Sequence, residues 1–228
     1  IQGLLEADKT VLFSGCSCQV AGLQKYLSLR KVNTENLYTI DFFCHGVPSP
    51  KIFSDFISFY EKKRHIKIND FHFRSKECGW GKSIARGANY LNSVNSDNLH
   101  KRKFSEKFSF FSKMWTRIFF SNLTLRKHCF TCPYAKLKKP ADFTMGDFWG
   151  IENSSIADFN DGKGCSVVIT QSKKANEFIK NIPNLATKSV PIEEAIEKQA
   201  NSFAPCIKPE NYDSFWNFYN EHGFEKCS

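Results

Sequence analysis

The residues VLFSGCSCQ, positions 11–19, place two cysteines in a turn of small residues that follows a short apolar segment. The apolar segment is typical of a buried strand, and the residues after the turn repeat apolar side chains at helical spacing. A second segment of the same kind, IDFFCHGVP at positions 40–48, ends its strand near Cys44. If the two strands are parallel neighbours, Cys18 and Cys44 leave the sheet at one edge, where open α/β proteins tend to bind their ligands.

The same patterns along the chain predict an α/β fold (mixed α+β), with small mixed sheets packed with helices. Strands are predicted at 10–14, 37–43, 66–73, 83–90, 142–145 and 165–170, the fourth as an antiparallel partner of the third. Helices are predicted at 19–29, 50–63, 107–120, 173–180, 192–200 and 213–219. A turn is predicted at 146–150, and the aromatic stripe of the helix at 107–120 is interpreted as core. No repeat and no interdomain linker is evident.

Cys18, Cys44 and the C-x-x-C of Cys129 and Cys132 form a set of four thiols, the number that one four-iron cluster takes. This arrangement indicates an iron–sulfur electron-transfer site. Two other classes stay open. One is a structural zinc module, although such modules usually have two C-x-x-C-like knuckles and this chain has one. The other is a thiol enzyme that uses Cys44 with His45 or another base.

The chain has nine cysteines in 228 residues, an odd count without the regular spacing of a disulfide framework. We therefore expect thiols or metal ligands in a reducing compartment. Cys16 is interpreted as a spare thiol or an alternative ligand. The remaining cysteines are expected to be inert small side chains: Cys78, Cys165, Cys206 and Cys227.

No apolar run approaches the roughly 20 residues of a membrane helix, and the first residues lack the layout of a secretory signal. We expect a cytoplasmic protein without a membrane span. The chain begins without Met, in what resembles the last turn of a helix, so the fold is expected to begin upstream.

The formal net charge is +9, from 32 basic and 23 acidic residues, and it is concentrated in clusters at 62–65, 100–103 and 136–139. A nucleic-acid surface is one interpretation, but no helix-turn-helix or RNA-binding signature is present and aromatic residues do not alternate with the basic ones. Solvated faces are favoured. A docking field for an acidic redox partner or a polyanionic cofactor tail is a third interpretation, which salt-dependent binding would test.

Five stretches, taken in order, resemble the C-terminal region of the coenzyme F-420 hydrogenase/dehydrogenase beta-subunit family. They are VLFSGCSCQVAGL (11–23), DFFCHGVPSP (41–50), FRSKECGW (73–80), CFTCPYA with ADFTMGDFWGI (129–135 and 141–151), and GKGCSVV (162–168). Each stretch alone is weak, but five in register cover nearly the whole chain.

The resemblance implies flavin-dependent electron transfer, in which FAD and a 4Fe-4S cluster exchange electrons with coenzyme F-420 or another acceptor. It implies Cys18, Cys44, Cys129 and Cys132 as cluster ligands. It also implies a ferredoxin-like domain or a redox partner subunit as the electron partner. No nucleic-acid partner is expected, because the basic clusters carry no binding signature. The residues that would contact the cofactors by analogy are Gly15, Gln19, His45, Gly46, Asp147 and Trp149. No catalytic residue is assigned.

Two departures from the family pattern stand out. The family usually carries a ferredoxin-like and flavin-contacting region upstream, which does not appear among these 228 residues, so the C-terminal domain at 1–228 is expected not to hold flavin by itself. In the first loop, Ser17 stands where proline is usual and Cys16 where threonine is common. The identity of the first ligand is therefore open between Cys16 and Cys18.

Overall fold

The computed structural model describes residues 1–64, 67–73, 88–92, 102–104, 110–199 and 202–227. Its helices are α1 (Gln2–Glu6), α2 (Ser17–Leu29), α3 (Pro50–Arg64), α4 (Phe110–Phe120), α5 (Lys173–Lys180), α6 (Ile192–Ile196), α7 (Tyr212–His222) and α8 (Phe224–Cys227). Its strands are β1 (Val11–Ser14), β2 (Leu37–Phe42), β3 (Lys67–His72), β4 (Ala88–Asn92), β5 (Arg102–Phe104), β6 (Phe143–Asp147) and β7 (Ser166–Thr170). The chain forms two compact units, 1–45 with 132–205 and 46–131 with 206–228.

The first unit is built on a four-stranded mixed sheet with the order β1-β2-β6-β7. β1, β2 and β6 are parallel, and β7 is antiparallel to β6. Because parallel neighbours need a crossover, α2 connects β1 to β2. Leu27 of α2 is fully buried against Val11 and Leu37, which are also buried. These contacts fix the strand–turn–helix unit that carries Cys18.

The second unit contains α3, α4, α7 and α8 and an antiparallel sheet with the order β3-β4-β5. Its core is mostly aromatic. The apolar stripe of α3 is buried as its spacing predicts, with Ile52 at 0% and Phe56 at 2% exposure, and Trp115 of α4 packs against it. Tyr219 of α7 and Phe224 of α8 complete this core.

The predicted α/β class is confirmed, and so are the parallel pairing of β1 with β2 and the antiparallel pairing of β3 with β4. Two predictions were wrong. The strand predicted to end at 145 continues to Asp147, because Gly146 and Asp147 pair with Val167 and Ser166 of β7. The helix predicted to reach 200 ends at Ile196.

Two of the basic segments have structural features that the sequence analysis did not predict. β5 was missed because the lysines and arginine at 100–103 resemble a solvated cluster, yet charged residues are common on edge strands and β5 is one. In the cluster at 136–139, Lys139 is buried, and its Nζ donates to the Tyr134 carbonyl at 2.8 Å. The predicted turn at 79–81 lies outside the described residues. In the described part of the chain, no helix is long and apolar enough to cross a membrane.

Candidate functional site

The first unit brings several of the predicted site residues to one edge of its sheet. β1, β2 and β6 run parallel, so their carboxyl ends share that edge. Cys18 follows β1, Cys44 follows β2, Asp147 is the last residue of β6 and Trp149 lies two residues beyond it. The parallel pairing of β1 and β2, on which the predicted emergence of Cys18 and Cys44 at one edge depends, is therefore confirmed. The carboxyl edge is the type of edge at which α/β sheets bind ligands.

The turn after β1 is held by Gln19. The Gly15 N–H donates to the Ile40 carbonyl at 3.1 Å and so extends the β1–β2 ladder by one residue. The Gln19 side chain folds back, and its Oε1 accepts from the Cys16 N–H at 2.8 Å, which satisfies a donor at the start of α2. A Cβ on Gly15 would lie 2.9 Å from that Oε1. Gly15 and Gln19 therefore shape the loop that presents Cys18.

The Cys18 thiol has two other thiols of the first unit in its neighbourhood. Desolvation raises the pKa of Cys18, and the neighbouring Cys16 and Cys132 thiols raise it further. Like charges disfavour ionisation only when they are near, so Cys132 lies in the neighbourhood of the turn that follows β1. A bound cation reverses this effect, because thiolates are the form that binds metals and metal binding releases their protons.

In the second unit, the backbone of Val47 contacts the side chain of Cys129. The Val47 N–H donates to Cys129 Sγ at 3.4 Å, and the Arg126 N–H donates to the Val47 carbonyl at 3.0 Å. Cys129 lies in a 3-10 turn, Lys127–Thr131, where its N–H donates to the Arg126 carbonyl at 2.8 Å. Hydrogen bonds to sulfur are one of the factors that set the potential of an iron–sulfur centre. Sequence reasoning missed the donor role of Val47, since a backbone N–H leaves no trace in residue identity.

Within the described ranges, no three His, Cys, Asp or Glu side chains converge closely enough to hold one metal ion. Ligands around a single zinc ion lie about 4 Å apart, since each Zn–S bond is about 2.3 Å. The thiolates of a four-iron cluster lie farther apart because each binds a different iron atom. For the cluster, the relevant features are donor chemistry and placement: Cys18, Cys44 and Cys132 of the first unit are all thiols, and Cys18 and Cys44 follow neighbouring parallel strands that end at one sheet edge.

The other predicted site residues have defined but less informative surroundings. His45 and Trp149 are half-buried. The Asp147 carbonyl accepts a hydrogen bond from the Gln199 side chain. Among the cysteines expected to be inert, Cys206 is buried and Cys165 and Cys227 are half-buried, whereas Cys78 lies outside the described residues. No disulfide links any of the eight cysteines that the structure describes.

A polar cleft of about 470 Å³ lies at the opposite edge of the first-unit sheet, next to the first residue of β2. Three of its polar side chains, Thr39, Asp142 and Lys174, interact with one another. Asp142 Oδ2 accepts from the Thr39 N–H and hydroxyl at 2.9 Å each, and Lys174 approaches the same oxygen at 3.5 Å. The carboxyl edge with its thiols is therefore the candidate site.

Asp41 is a buried acid close to the thiol-bearing edge, and sequence reasoning missed it. It lies in β2 three residues before Cys44, with 0% exposure. Its Oδ1 accepts from the Thr144 hydroxyl at 2.7 Å, and the Ser17 hydroxyl lies beside the same carboxylate. Burial raises the pKa of Asp41, and Ser17, Thr144 and Lys139 oppose that rise. The available signal was a carboxylate inside an otherwise apolar strand.

We expect Asp41→Asn to remove part of the pH dependence of stability. Because the pKa of Asp41 is raised in the folded protein, the folded state binds more protons than the unfolded state between the two pKa values. Stability therefore falls as pH rises from about 3.9, the unfolded value, through the folded value. Urea unfolding across this range should show the free energy of unfolding declining less in Asp41→Asn than in the wild type.

The control for this substitution is Asp158→Asn. Asp158 is exposed, and hydrogen bonding from Lys188 lowers its pKa, the opposite direction. In Asp158→Asn the free energy of unfolding should decline with rising pH at least as steeply as in the wild type. If the free energy of unfolding declined with pH equally in Asp41→Asn and in the wild type, that result would contradict a raised pKa for Asp41.

An α/β protein that presents several thiols at the carboxyl edge of parallel strands belongs to the class of candidate redox or metal-binding proteins. Residues 8–194 match the family described as the C terminus of the coenzyme F420 hydrogenase/dehydrogenase beta subunit, and the chain belongs to this family. The resemblance carried by the five stretches is thereby confirmed. The family has a redox role, and a beta-subunit family implies a complex of several subunits. No curated protein matches the chain.

Proposed function

We propose that this chain is the C-terminal domain of an iron–sulfur flavoprotein oxidoreductase. In this proposal Cys18, Cys44, Cys129 and Cys132 bind a 4Fe-4S cluster, which exchanges electrons with FAD and with coenzyme F-420 or another acceptor. When bound, these groups supply the electron and hydride transfer, and the protein supplies their position and electrostatic surroundings. The observation that carries the proposal is the placement of Cys18 and Cys44 at one sheet edge, with Cys132 acting on Cys18.

The residues of the chain have distinct tasks in this proposal. The four thiolates hold iron, which stabilises them as anions. The Val47 N–H, which donates to Cys129 Sγ, favours the more negative, reduced state of a cluster bound there. The turn after β1, shaped by Gly15 and Gln19, fixes the direction in which Cys18 points.

The flavin contacts are proposed from position at the same edge and from the family. They are Gly15, Gln19, His45, Gly46, Asp147 and Trp149. We also propose that a ferredoxin-like domain or a redox partner subunit in the cytoplasm exchanges electrons with the cluster. The basic surface, which includes the exposed Lys62 and Lys63, is available for electrostatic steering of an acidic partner.

The test is the metal and flavin content of protein prepared without oxygen. We expect iron and acid-labile sulfide in about equal amounts, near four of each per chain, and an electron paramagnetic resonance signal after reduction. Zinc without iron would overturn the proposal in favour of a structural zinc module. Metal-free protein that alkylates rapidly at Cys44 would overturn it in favour of a thiol enzyme. Adding FAD to the same samples and measuring its fluorescence quenching tests the flavin contacts separately.

A further inference from the structure

Tyr212 is the first residue of α7 and lies outside the residues that match the family. It is almost fully buried, at 2% exposure, and its hydroxyl donates to the Leu125 carbonyl at 2.7 Å. Its ring packs edge-to-face against Phe130, at 5.1 Å between ring centroids. Phe130 is the residue directly after Cys129 in the C-x-x-C segment. Tyr212 therefore contacts the C-x-x-C segment through its ring, at Phe130, while its hydroxyl bonds to Leu125, four residues before Cys129.

Leu125 connects Tyr212 to the C-H-G-V-P turn. Its side chain is 0% exposed, and its two δ carbons occupy the space that a Cβ on Gly46 would need, at 2.7 and 3.1 Å. Leu125 also forms an isolated antiparallel bridge with Pro48. The carbonyl that the Tyr212 hydroxyl holds therefore belongs to Leu125, and Leu125 packs against Gly46 and Pro48, the residues on either side of Val47.

Val47 completes the connection to the sulfur. Its carbonyl accepts from the Arg126 N–H at 3.0 Å, and its own N–H donates to Cys129 Sγ at 3.4 Å. The order of contacts is Tyr212 to Leu125, Leu125 to the turn, and the turn to Cys129. All of these residues belong to the second unit, so the connection is complete within one compact unit.

We infer that Tyr212 is a positioning residue for Cys129: its hydroxyl holds Leu125 and, through the Gly46–Val47 turn, the N–H that donates to the Cys129 sulfur. The inference deepens the proposed function, since it concerns one of the four proposed cluster ligands. Burial raises the pKa of Tyr212 above its ordinary value, so the phenol keeps its proton and remains a donor at neutral pH. A backbone carbonyl bonded in this way loses a partner when the hydroxyl is removed, and a buried unsatisfied carbonyl is unfavourable.

The same helix offers a matched control. Tyr219 is two turns further along α7 and is also buried, at 3% exposure. Its hydroxyl bonds to the side chains of Asp55 and Lys51, at the start of α3. Tyr212→Phe and Tyr219→Phe therefore each remove one buried hydroxyl and keep the ring. The two variants differ in one respect: only the Tyr212 hydroxyl is connected, through Leu125, to the Gly46–Val47 turn that donates to Cys129.

The test measures the alkylation rate of Cys129 in metal-free protein by peptide mass spectrometry, with Cys165 as the internal reference. In Tyr212→Phe we expect Cys129 to react about fivefold faster than in the wild type, the factor that corresponds to the loss of one buried hydrogen bond. In Tyr219→Phe the rate should stay at the wild-type value. Thermal unfolding of both variants identifies any general loss of stability, which would raise the rates at Cys129 and Cys165 together.

A second measurement uses the iron-loaded protein. Tyr212→Phe should release iron to a chelator faster and shift the midpoint potential of the cluster, whereas Tyr219→Phe should do neither. Equal Cys129 alkylation in all three proteins would overturn the inference. Absence of iron from the wild type would instead overturn the proposed function, and the alkylation rates would still decide whether Tyr212 positions Cys129.

Discussion

Cys18→Ser is expected to remove nearly all of the iron that the wild-type protein binds. Cys18 lies at the start of α2, and its thiol is near those of Cys16 and Cys132. A serine hydroxyl keeps its proton at neutral pH and is a poor ligand for iron, whereas a thiolate binds iron strongly. A cluster with three ligands is readily lost. Iron and acid-labile sulfide should fall together to less than about a tenth of the wild-type amount, as judged by the strength of thiolate ligation.

Two controls accompany this variant. Cys165→Ser changes a half-buried thiol outside the proposed ligand set, and it should keep the wild-type iron content. Cys16→Ser decides the identity of the first ligand, because Cys16 and Cys18 are two residues apart in the same turn. Full iron content in Cys18→Ser together with loss in Cys16→Ser would transfer the ligand role to Cys16. Wild-type iron content in both Cys16→Ser and Cys18→Ser would show that neither cysteine of this turn is a cluster ligand.

The strand–turn–helix units were predictable because the forces that form them are local. In 11–29 the apolar segment, the small-residue turn and the helical spacing follow one another, and β1 and α2 form where these signals change. Parallel pairing then places Cys18 and Cys44 at one edge without any further information. This part of the candidate site follows from sequence pattern and strand direction alone.

The supporting interactions were not predictable for the opposite reason. The contact of Tyr212 with Leu125 joins residues 87 positions apart, and that of Thr144 with Asp41 joins residues 103 apart. No periodic pattern encodes such pairs, since they depend on how distant elements pack. Lys139 shows the same limit: its sequence context is basic and solvated, but packing buries its stem and directs Nζ to a carbonyl.

Gly46→Ala is expected to destabilise the protein by about 2–6 kcal/mol, the sum of a strained backbone and an overpacked contact. Gly46 has φ = +150°, a conformation that residues with a Cβ rarely adopt. An added Cβ would also lie 2.7 Å from one δ carbon of Leu125, which is fully buried. Urea unfolding followed by tryptophan fluorescence measures the loss. Gly22→Ala is the control, because Gly22 lies in α2 with nothing within 4 Å of the new Cβ and should gain up to about 1 kcal/mol from helix propensity.

A double-mutant cycle separates the two causes in Gly46→Ala. Leu125→Ala removes the δ carbons that the new methyl group meets, so the double variant should be more stable than the sum of the single losses predicts, by about 1–3 kcal/mol. The backbone strain at position 46 remains in both variants that carry alanine there. Strict additivity would show that the strained φ alone accounts for the loss and that Leu125 does not limit the turn. Because Val47 follows Gly46 directly, the single variant should also speed Cys129 alkylation, which connects the stability of this turn to the sulfur it supports.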